Sequence, residues 1–195
     1  MGHGARAAYV GAMHDFPALP PRGVSLVELM IVVAVAAIVA AFAVPAYTSA
    51  REATRSGAAV QRLAGSIAMA ASRAAGSGHE VVLCPGRPTV CVPTTEWHEG
   101  WIVYADVDRD RIHDPLEPVL ERIAPLGGQV RLRSTLGRLR LVFRPDGAST
   151  GSNTTFTLCD GRGAAHARAL VLNNTGQLRA SASAAAAAAE CVRAQ

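Results

Sequence analysis

The sequence predicts an α+β protein in which one long amino-terminal helix packs against an antiparallel, sandwich-like β domain. Three observations lead to this prediction. An apolar run extends from Val24 to Val44, and an apolar stripe at helical spacing continues after Pro45. From Glu80 onward the chain consists of short β-type runs separated by Gly, Pro, Asn and Asp. A helix followed by many short strands is typical of an α+β fold with antiparallel sheet.

The apolar run is broken only by Ser25 and Glu28. At about 1.5 Å per residue, Val24–Val44 forms a helix of about 30 Å, which is the thickness of the hydrocarbon core of a bilayer. A carboxylate at the centre of such a span costs about 2.5–3.5 kcal/mol, so it is usually retained for a positively charged partner or a pathway. We therefore expect one membrane-spanning helix whose Glu28 has a partner.

The residues around Glu28 resemble the type IV prepilin leader. Arg22 precedes Gly23, a small polar residue stands two places after this Gly, and Glu28 stands five places after it. The resemblance implies cleavage after Gly23 by a membrane-embedded aspartyl prepilin peptidase and N-methylation of the new amino terminus on Val24, where the family usually has Phe or Met. It also implies that Glu28 pairs with the amino terminus of a neighbouring subunit in a filament, and that Pro45 bends the helix.

An ordinary signal anchor or a secretory signal peptide is the alternative interpretation of the same stretch. A secretory signal has an apolar core of only about 7–15 residues followed by a small-residue cleavage site. The run found here is longer and contains a Glu that neither alternative requires. Residues 1–23 have no periodic pattern and contain Pro17, Pro20 and Pro21, so we predict a leader that is removed.

The helix is predicted to resume after Pro45 and to stop at the Gly76–Gly78 segment. Its apolar face is formed by Val60, Leu63, Ile67, Ala70, Ala71 and Ala74. The predicted organisation is a leader at 1–23, a long helix at 24–78 that spans the membrane over 24–44, a globular β domain at 79–181 and an Ala-rich tail at 182–195. The Ala run of the tail is shorter than the roughly 12–15 residues that an isolated helix needs. We expect a frayed segment there unless Cys191 pins it.

Strands of the globular domain are predicted from apolar, β-branched and aromatic runs bounded by turn residues. They are Val81–Cys84, Trp101–Ala105, Val119–Ile123, Gln129–Arg133, Leu139–Phe143, Thr155–Cys159, Ala169–Leu172 and a weaker one at Gln177–Ala180.

This globular part resembles the minor pilin and pseudopilin family that includes GspH of type II secretion and FimT or FimU of type IV pili, over nearly the whole mature chain. The motifs that carry the resemblance are Gly100–Tyr104 leading into the acidic turn Asp106–Asp110, then Glu117–Leu120, Leu141–Gly147 and Thr155–Cys159. The resemblance implies a head of antiparallel sheets packed on the end of the long helix.

The cysteines indicate an oxidising compartment, since all four lie downstream of the apolar run. Cys84 and Cys91 bracket a turn that contains Pro and Gly, and Cys159 and Cys191 could tie the tail to a strand. Four Cys allow three pairings, so the sequence leaves the connectivity open. A zinc site would require tighter Cys-x-x-Cys or His spacing. We therefore favour two disulfides over a metal.

The acidic turn raises a calcium hypothesis. Its carboxylates occupy the first, third, fifth, ninth and twelfth places of an EF-hand-like loop: Asp106, Asp108, Asp110, Asp114 and Glu117. Two features weigh against calcium, because the sixth place is Arg111 where the loop needs Gly, and the flanks are predicted strands. The interpretation we favour here is a solvated hairpin turn neutralised by Arg109 and Arg111, with no cofactor.

A DNA-binding hypothesis comes from the same resemblance, because FimT-like minor pilins of naturally competent bacteria bind DNA through a Gly-Arg-x-Arg motif after a late strand. The segment Gly176–Arg179 keeps Gly176 and Arg179 but has Gln in place of the first Arg. An intact motif at Gly137–Arg140 lies earlier, and its Arg138 and Arg140 extend a basic cluster with Arg131, Arg133 and Arg144. The alternative is one solvated face of a strand, and the net charge of +4 does not decide between them.

No catalytic constellation is found in the sequence. Ser25 and Ser66 lack a nucleophile elbow, the His residues show no ligand spacing, and Trp97 and Trp101 are expected to pack in the core or at its rim. We predict no enzymatic activity.

The leading hypothesis is a GspH/FimT-type minor pseudopilin, inserted by one span in the bacterial inner membrane with its carboxy-terminal domain in the periplasm. Its partners would be other pilins in a filament and the prepilin peptidase. A DNA-capturing minor pilin is the second hypothesis, and a single-pass periplasmic protein without a filament role is the third.

Overall fold

The computed structural model describes residues 23–87, 90–149 and 151–193. The predicted leader therefore lies outside the described residues, apart from Gly23. The chain divides into two compact units, one up to Phe42 and one from Ala43 onward.

One helix, α1, extends from Leu26 to Ser77 and contains Pro45 in its interior. It ends where Gly78 adopts a φ of +73° and donates its backbone N–H to the Ala74 carbonyl at 3.1 Å. This left-handed residue after the last turn is the usual way for Gly to terminate a helix, so the predicted stop is confirmed.

The second unit contains two antiparallel sheets. The strands are β1 Glu80–Arg87, β2 Val90–Cys91, β3 Trp101–Asp106, β4 Val119–Ile123, β5 Arg131–Ser134, β6 Leu141–Phe143, β7 Thr154–Cys159, β8 Arg168–Leu172 and β9 Leu178–Ala182. The first sheet has the order β2-β1-β3-β4, with β6 also paired to β1, and the second has the order β5-β7-β8-β9. The predicted α+β architecture with a long helix packed on antiparallel sheet is confirmed.

The main core lies between the carboxy-terminal half of α1 and both sheets. The helix contributes Ala59, Leu63, Ile67, Ala70 and Ala74, which includes most of the predicted apolar stripe. Trp97 and Trp101 are completely buried in this core, as expected. Because side chains alternate along a strand, β1 and β3 present a second apolar cluster on the opposite face of the first sheet, formed by Val82, Cys84, Ile102, Tyr104 and Val142.

The alanine-rich tail forms a helix, and this is the case in which Cys191 pins a segment that was otherwise expected to fray. A helix, α2, extends from Ala185 to Arg193, and its Cys191 is bonded to Cys159 at the end of β7. The Ala run is too short to be stable alone, but the covalent attachment and the burial of Ala188 supply tertiary contacts that local sequence does not contain.

Two further details differ from the predicted strands. The segment before β6 is not extended, so Leu139 and Arg140 precede the strand that begins at Leu141. A short strand, β2, pairs with the end of β1, and the Cys84–Cys91 disulfide closes this hairpin. Four cysteines can be paired in three ways. The structure has the pairing that the sequence suggested, with bonds Cys84–Cys91 and Cys159–Cys191.

Candidate functional site

The helix begins with a local cap that the sequence analysis did not identify. Ser25 accepts the backbone N–H of Glu28 on its Oγ at 3.2 Å, and its carbonyl accepts the N–H of Leu29 at 3.1 Å. Ser followed three residues later by Glu is the capping-box spacing, and an acidic residue in the first turn favours the helix dipole. Glu28 therefore has a place in the isolated helix, in addition to the filament role that the resemblance implies.

The apolar segment after this cap is not covered by any of the residues that the structure describes. Every residue from Gly23 to Ala50 is exposed, and Phe42 keeps 75% of its surface accessible. This is the part of α1 that is long and apolar enough to cross a membrane, and none of its apolar window is buried. A helix that is apolar all round requires lipid or other helices around it.

The acidic turn connects β3 to β4, whose antiparallel pairing brings the two ends of the turn together. Carboxylate oxygens of Asp106, Asp108 and Glu117 lie within 4.8 Å of one another. Asp106 is completely buried, Glu117 is nearly so, and Asp108 is exposed. The other two candidate ligands, Asp110 and Asp114, are not part of this group.

Backbone donors hold the two buried carboxylates in place. Glu117 accepts the N–H of Val107 at 2.9 Å and that of Asp114 at 3.3 Å, while Asp106 Oδ1 accepts the N–H of Arg109 at 2.8 Å. Burial raises the pKa of Asp106 and of Glu117, and these backbone donors oppose that rise. The second oxygen, Asp106 Oδ2, is buried and has no hydrogen-bond partner among the described residues.

The two arginines of the turn have an unusual backbone conformation, and the charge of Arg111 interacts with Asp106 as well as with Glu80. Arg109 and Arg111 have φ values of +69° and +62°, so the sharp turn that normally uses Gly is made here by Arg111. The Arg111 guanidinium pairs with Glu80 at the start of β1, with Nε 3.1 Å from Oε2.

The two candidate DNA-binding motifs lie at separate places in the fold, since Gly137–Arg140 precedes β6 of the first sheet and Gly176–Arg179 leads into β9 of the second. Arg138 and Arg140 line an open groove together with Arg144, whereas Arg179 lies on β9 at the edge of the second sheet. Arg138 donates to the Asn153 carbonyl at 3.0 Å, and Arg140 donates to the Arg111 carbonyl.

Arg133 and Arg179 have protein partners, and Gly176 has a role in a turn. Arg133 does not belong to the groove, because it forms ion pairs with Glu96 at 2.7 Å and with Glu190 at 3.3 Å. Arg179 donates to the side chain of Gln177 at 3.1 Å. Gly176 has a φ of +79° in the turn before β9, so its conformation accounts for a Gly there.

Ser66, His98 and His113 contact neighbouring side chains of the domain. Ser66 accepts a hydrogen bond from Trp101 Nε1 at 3.0 Å and donates one to Glu121 at 2.5 Å. Burial lowers the pKa of His98, which is flanked by Glu96 and Glu99, and the His113 ring stacks edge-on against Tyr104.

Comparisons with known proteins bear on both units. Residues 59–176 match the family model described as "Type II transport protein GspH", and residues 21–44 match the prokaryotic N-terminal methylation motif. Comparison with curated protein sequences gives no match.

Two crystal structures of the type IV minor pilin FimU from Pseudomonas aeruginosa are similar to this chain. One, in space group P21, has a TM-score of 0.50 and 13% identity, and the match covers 71% of this chain and 92% of that one. The other, in space group P65, has a TM-score of 0.47 and 16% identity over 64% and 91% of the two chains. At this level of identity, the P21 match shows a shared fold.

Proposed function

Because the chain belongs to the GspH family of type II transport proteins, we propose that it is a minor pseudopilin of a type II secretion system. It is anchored by the apolar half of α1 and exposes the two-sheet domain to the periplasm. In this role it is a structural subunit without catalytic activity, processed after Gly23 and methylated on Val24.

The observation that carries this proposal is the exposed apolar half of α1 with one acidic residue in its first turn. In lipid the apolar residues are solvated by acyl chains, but the Glu28 carboxylate is not, and a positive group relieves its cost. A free amino terminus on a neighbouring Val24 supplies that group when helices associate. The cationic terminus exists only after the leader is removed, so processing would couple to assembly.

Intact mass and amino-terminal sequencing of the membrane-extracted protein, with and without the prepilin peptidase, test the processing step. We expect a chain that begins at N-methyl-Val24 only when the peptidase is present. A chain that still begins at Met1 in its presence, or is cut elsewhere, would contradict the proposal.

Substitution of Glu28 tests the assembly step. Glu28→Gln keeps the size of the side chain and removes its charge, so the helix cap and the processing should persist. The amino terminus of the neighbouring Val24 then has no negative partner in lipid, which costs a few kcal/mol. Incorporation into the filament should therefore fall at least about tenfold. Glu28→Asp retains the charge and should restore part of the incorporation. Normal incorporation of Glu28→Gln, measured by cross-linking to neighbouring subunits in whole cells, would remove the assigned role.

A DNA-binding minor pilin is the second candidate, and the groove lined by Arg138, Arg140 and Arg144 favours it. Charge reversal of Arg138 and Arg140 should then weaken DNA binding and reduce its salt dependence, whereas Arg179→Glu serves as the comparison in the other sheet. Loss of protein export in a deletion strain supports secretion, and loss of DNA uptake with intact export supports this alternative.

A further inference from the structure

The acidic turn between β3 and β4 is not part of the membrane anchoring or the filament assembly proposed above. Asp106 ends β3 and points to the same side of the first sheet as Tyr104 and Ile102, opposite the core that packs on α1. The turn therefore begins on the face of the first sheet opposite the core, beside Glu80, with which Asp106 is paired in the β1–β3 ladder.

Three carboxylates converge at this turn from two ends of the loop. The ligand oxygens of Asp106, Asp108 and Glu117 all lie within 4.8 Å of one another. This spacing allows one cation between them, since calcium binds oxygen ligands at 2.3–2.6 Å and opposite ligands of one ion are about 4.8 Å apart.

An unpartnered buried oxygen points independently to a ligand at the same place. Asp106 is completely buried, and its Oδ2 has no hydrogen-bond partner in the described part of the chain. A buried, ionised oxygen without a partner loses the full free energy of its hydration. Buried polar groups are nearly always paired, and a cation bound beside Asp108 and Glu117 supplies the missing partner.

The guanidinium of Arg111 makes its direct contacts outside the three-carboxylate group, although its charge also interacts with Asp106. Arg111 is engaged with Glu80 through both Nε and Nη2. Its backbone takes the left-handed conformation that the sixth place of a calcium loop requires, which removes the objection that Gly is absent there.

We propose that Asp106, Asp108 and Glu117 bind one calcium ion. The donor set consists of carboxylate oxygens, which hard cations prefer over the nitrogen and sulfur ligands of zinc. A flexible loop with several carboxylates suits the 6–8 ligands of calcium better than the rigid octahedron of magnesium, and solvent at the exposed Asp108 supplies the remaining ligands. The bound ion fixes the conformation of the loop. In this loop the Arg111 guanidinium pairs with Glu80, and the Arg111 carbonyl accepts a hydrogen bond from Arg140.

Isothermal titration and thermal unfolding of the full chain in detergent, with calcium chloride after removal of metal by chelator, test this proposal. We expect one ion per chain with a dissociation constant of about 0.1–1 mM, the range of extracellular calcium modules. Calcium should also raise the unfolding temperature by a few degrees, because a ligand that binds only the folded state stabilises it. Magnesium at the same concentration should have a much smaller effect.

The chain offers a matched pair of variants. Asp108 Oδ1 accepts the N–H of Asp110 at 3.2 Å, and Asp146 Oδ1 accepts the N–H of Ala148 at 2.9 Å in another exposed turn. Asp108→Asn and Asp146→Asn both keep this local hydrogen bond and remove one charge. Asp108→Asn should weaken calcium binding at least tenfold with little change in the metal-free unfolding temperature, whereas Asp146→Asn should bind as the unaltered chain does.

Asp106→Asn, which alters the buried ligand, should also abolish the calcium-dependent rise in unfolding temperature. The proposal is overturned by the absence of saturable binding, by equal responses to calcium and magnesium, or by equal affinities of the Asp108→Asn and Asp146→Asn variants.

Discussion

A single buried carboxylate, Asp160, joins α1 to the second sheet, and its removal should destabilise the domain strongly. Asp160 follows Cys159 at the end of β7 and is 1% exposed. It accepts hydrogen bonds from Ser56 of α1 and from the side chain of Arg162, whose Nη2 lies 2.7 Å from Oδ2. Asp160→Asn removes the charge and places an amide donor near the guanidinium.

The size of the effect follows from the pKa of Asp160. Burial raises this pKa, but the hydrogen bonds from Arg162 and Ser56 outweigh burial and lower it to about 2, from an ordinary value of 3.8. A difference of this size corresponds to about 2 kcal/mol of stability. Because the folded-state pKa is the lower one, this contribution is complete well above pH 3.8 and disappears as the pH falls toward 2. Leaving Arg162 unpaired adds to the loss, so we expect about 3 kcal/mol at pH 7.

Tryptophan fluorescence is a suitable probe, because Trp97 and Trp101 are both buried in the core of the domain. For a unit of this size, 3 kcal/mol corresponds to a fall of roughly 6–12 °C in the unfolding temperature. The measurement is made on the full chain in detergent, and Asp146→Asn, an exposed Asp to Asn change, is the control.

The pH dependence distinguishes the charge from simple packing. The difference between the unaltered chain and Asp160→Asn should narrow between pH 4 and pH 2, since the carboxylate of the unaltered chain becomes protonated there. A difference that stays constant over this range, or one no larger than that of Asp146→Asn, would refute the assignment of a stabilising ionised Asp160.

Two further changes probe the attachment of the helices. Ser66→Ala leaves the buried Nε1 of Trp101 without its acceptor and should cost about 1–3 kcal/mol, measured as a lower unfolding temperature, whereas Ser77→Ala at the exposed end of α1 should have little effect. Cys191→Ser opens a loop with a sequence separation of 32 residues, so we expect a loss of about 3–4 kcal/mol and faster amide exchange in α2. Unchanged exchange in α2 would show that the helix does not depend on the disulfide.

Local patterns predicted most of the elements because their signals lie within a few residues. The stripe that contains Leu63 and Ile67 repeats at helical spacing, and it is buried as predicted. The turn residues that bound each run located most of the strands, but β1 continues three residues beyond its predicted end at Cys84, the short strand β2 was not predicted, and Leu139 and Arg140 lie before β6. The tail is helical under the one condition that the prediction allowed, because Cys191 is bonded to Cys159 and the Ala run does not depend on its own sequence alone.

The candidate sites also combine features that local spacing predicts with features that depend on tertiary contacts. The helix cap formed by Ser25 is readable in the sequence from its capping-box spacing to Glu28, although Glu28 was predicted only to act in filament assembly. The calcium spacing was also visible, but it suggested five ligands, and the structure groups Asp106, Asp108 and Glu117. The predicted basic cluster included Arg133, but this residue forms ion pairs with Glu96 and Glu190 and does not line the groove.

By itself, the sequence determined the leader motif, the apolar length of the first helical half, the position of Glu28 and the alternation of the strands. These properties depend on composition and on spacings within one element. Only the tertiary structure decided which cysteines pair, which acidic side chains meet, which arginines stay in an open groove and whether the alanine-rich tail is helical. Each of these depends on groups far apart in the chain, whose approach is set by how the strands pair and how α1 packs against them.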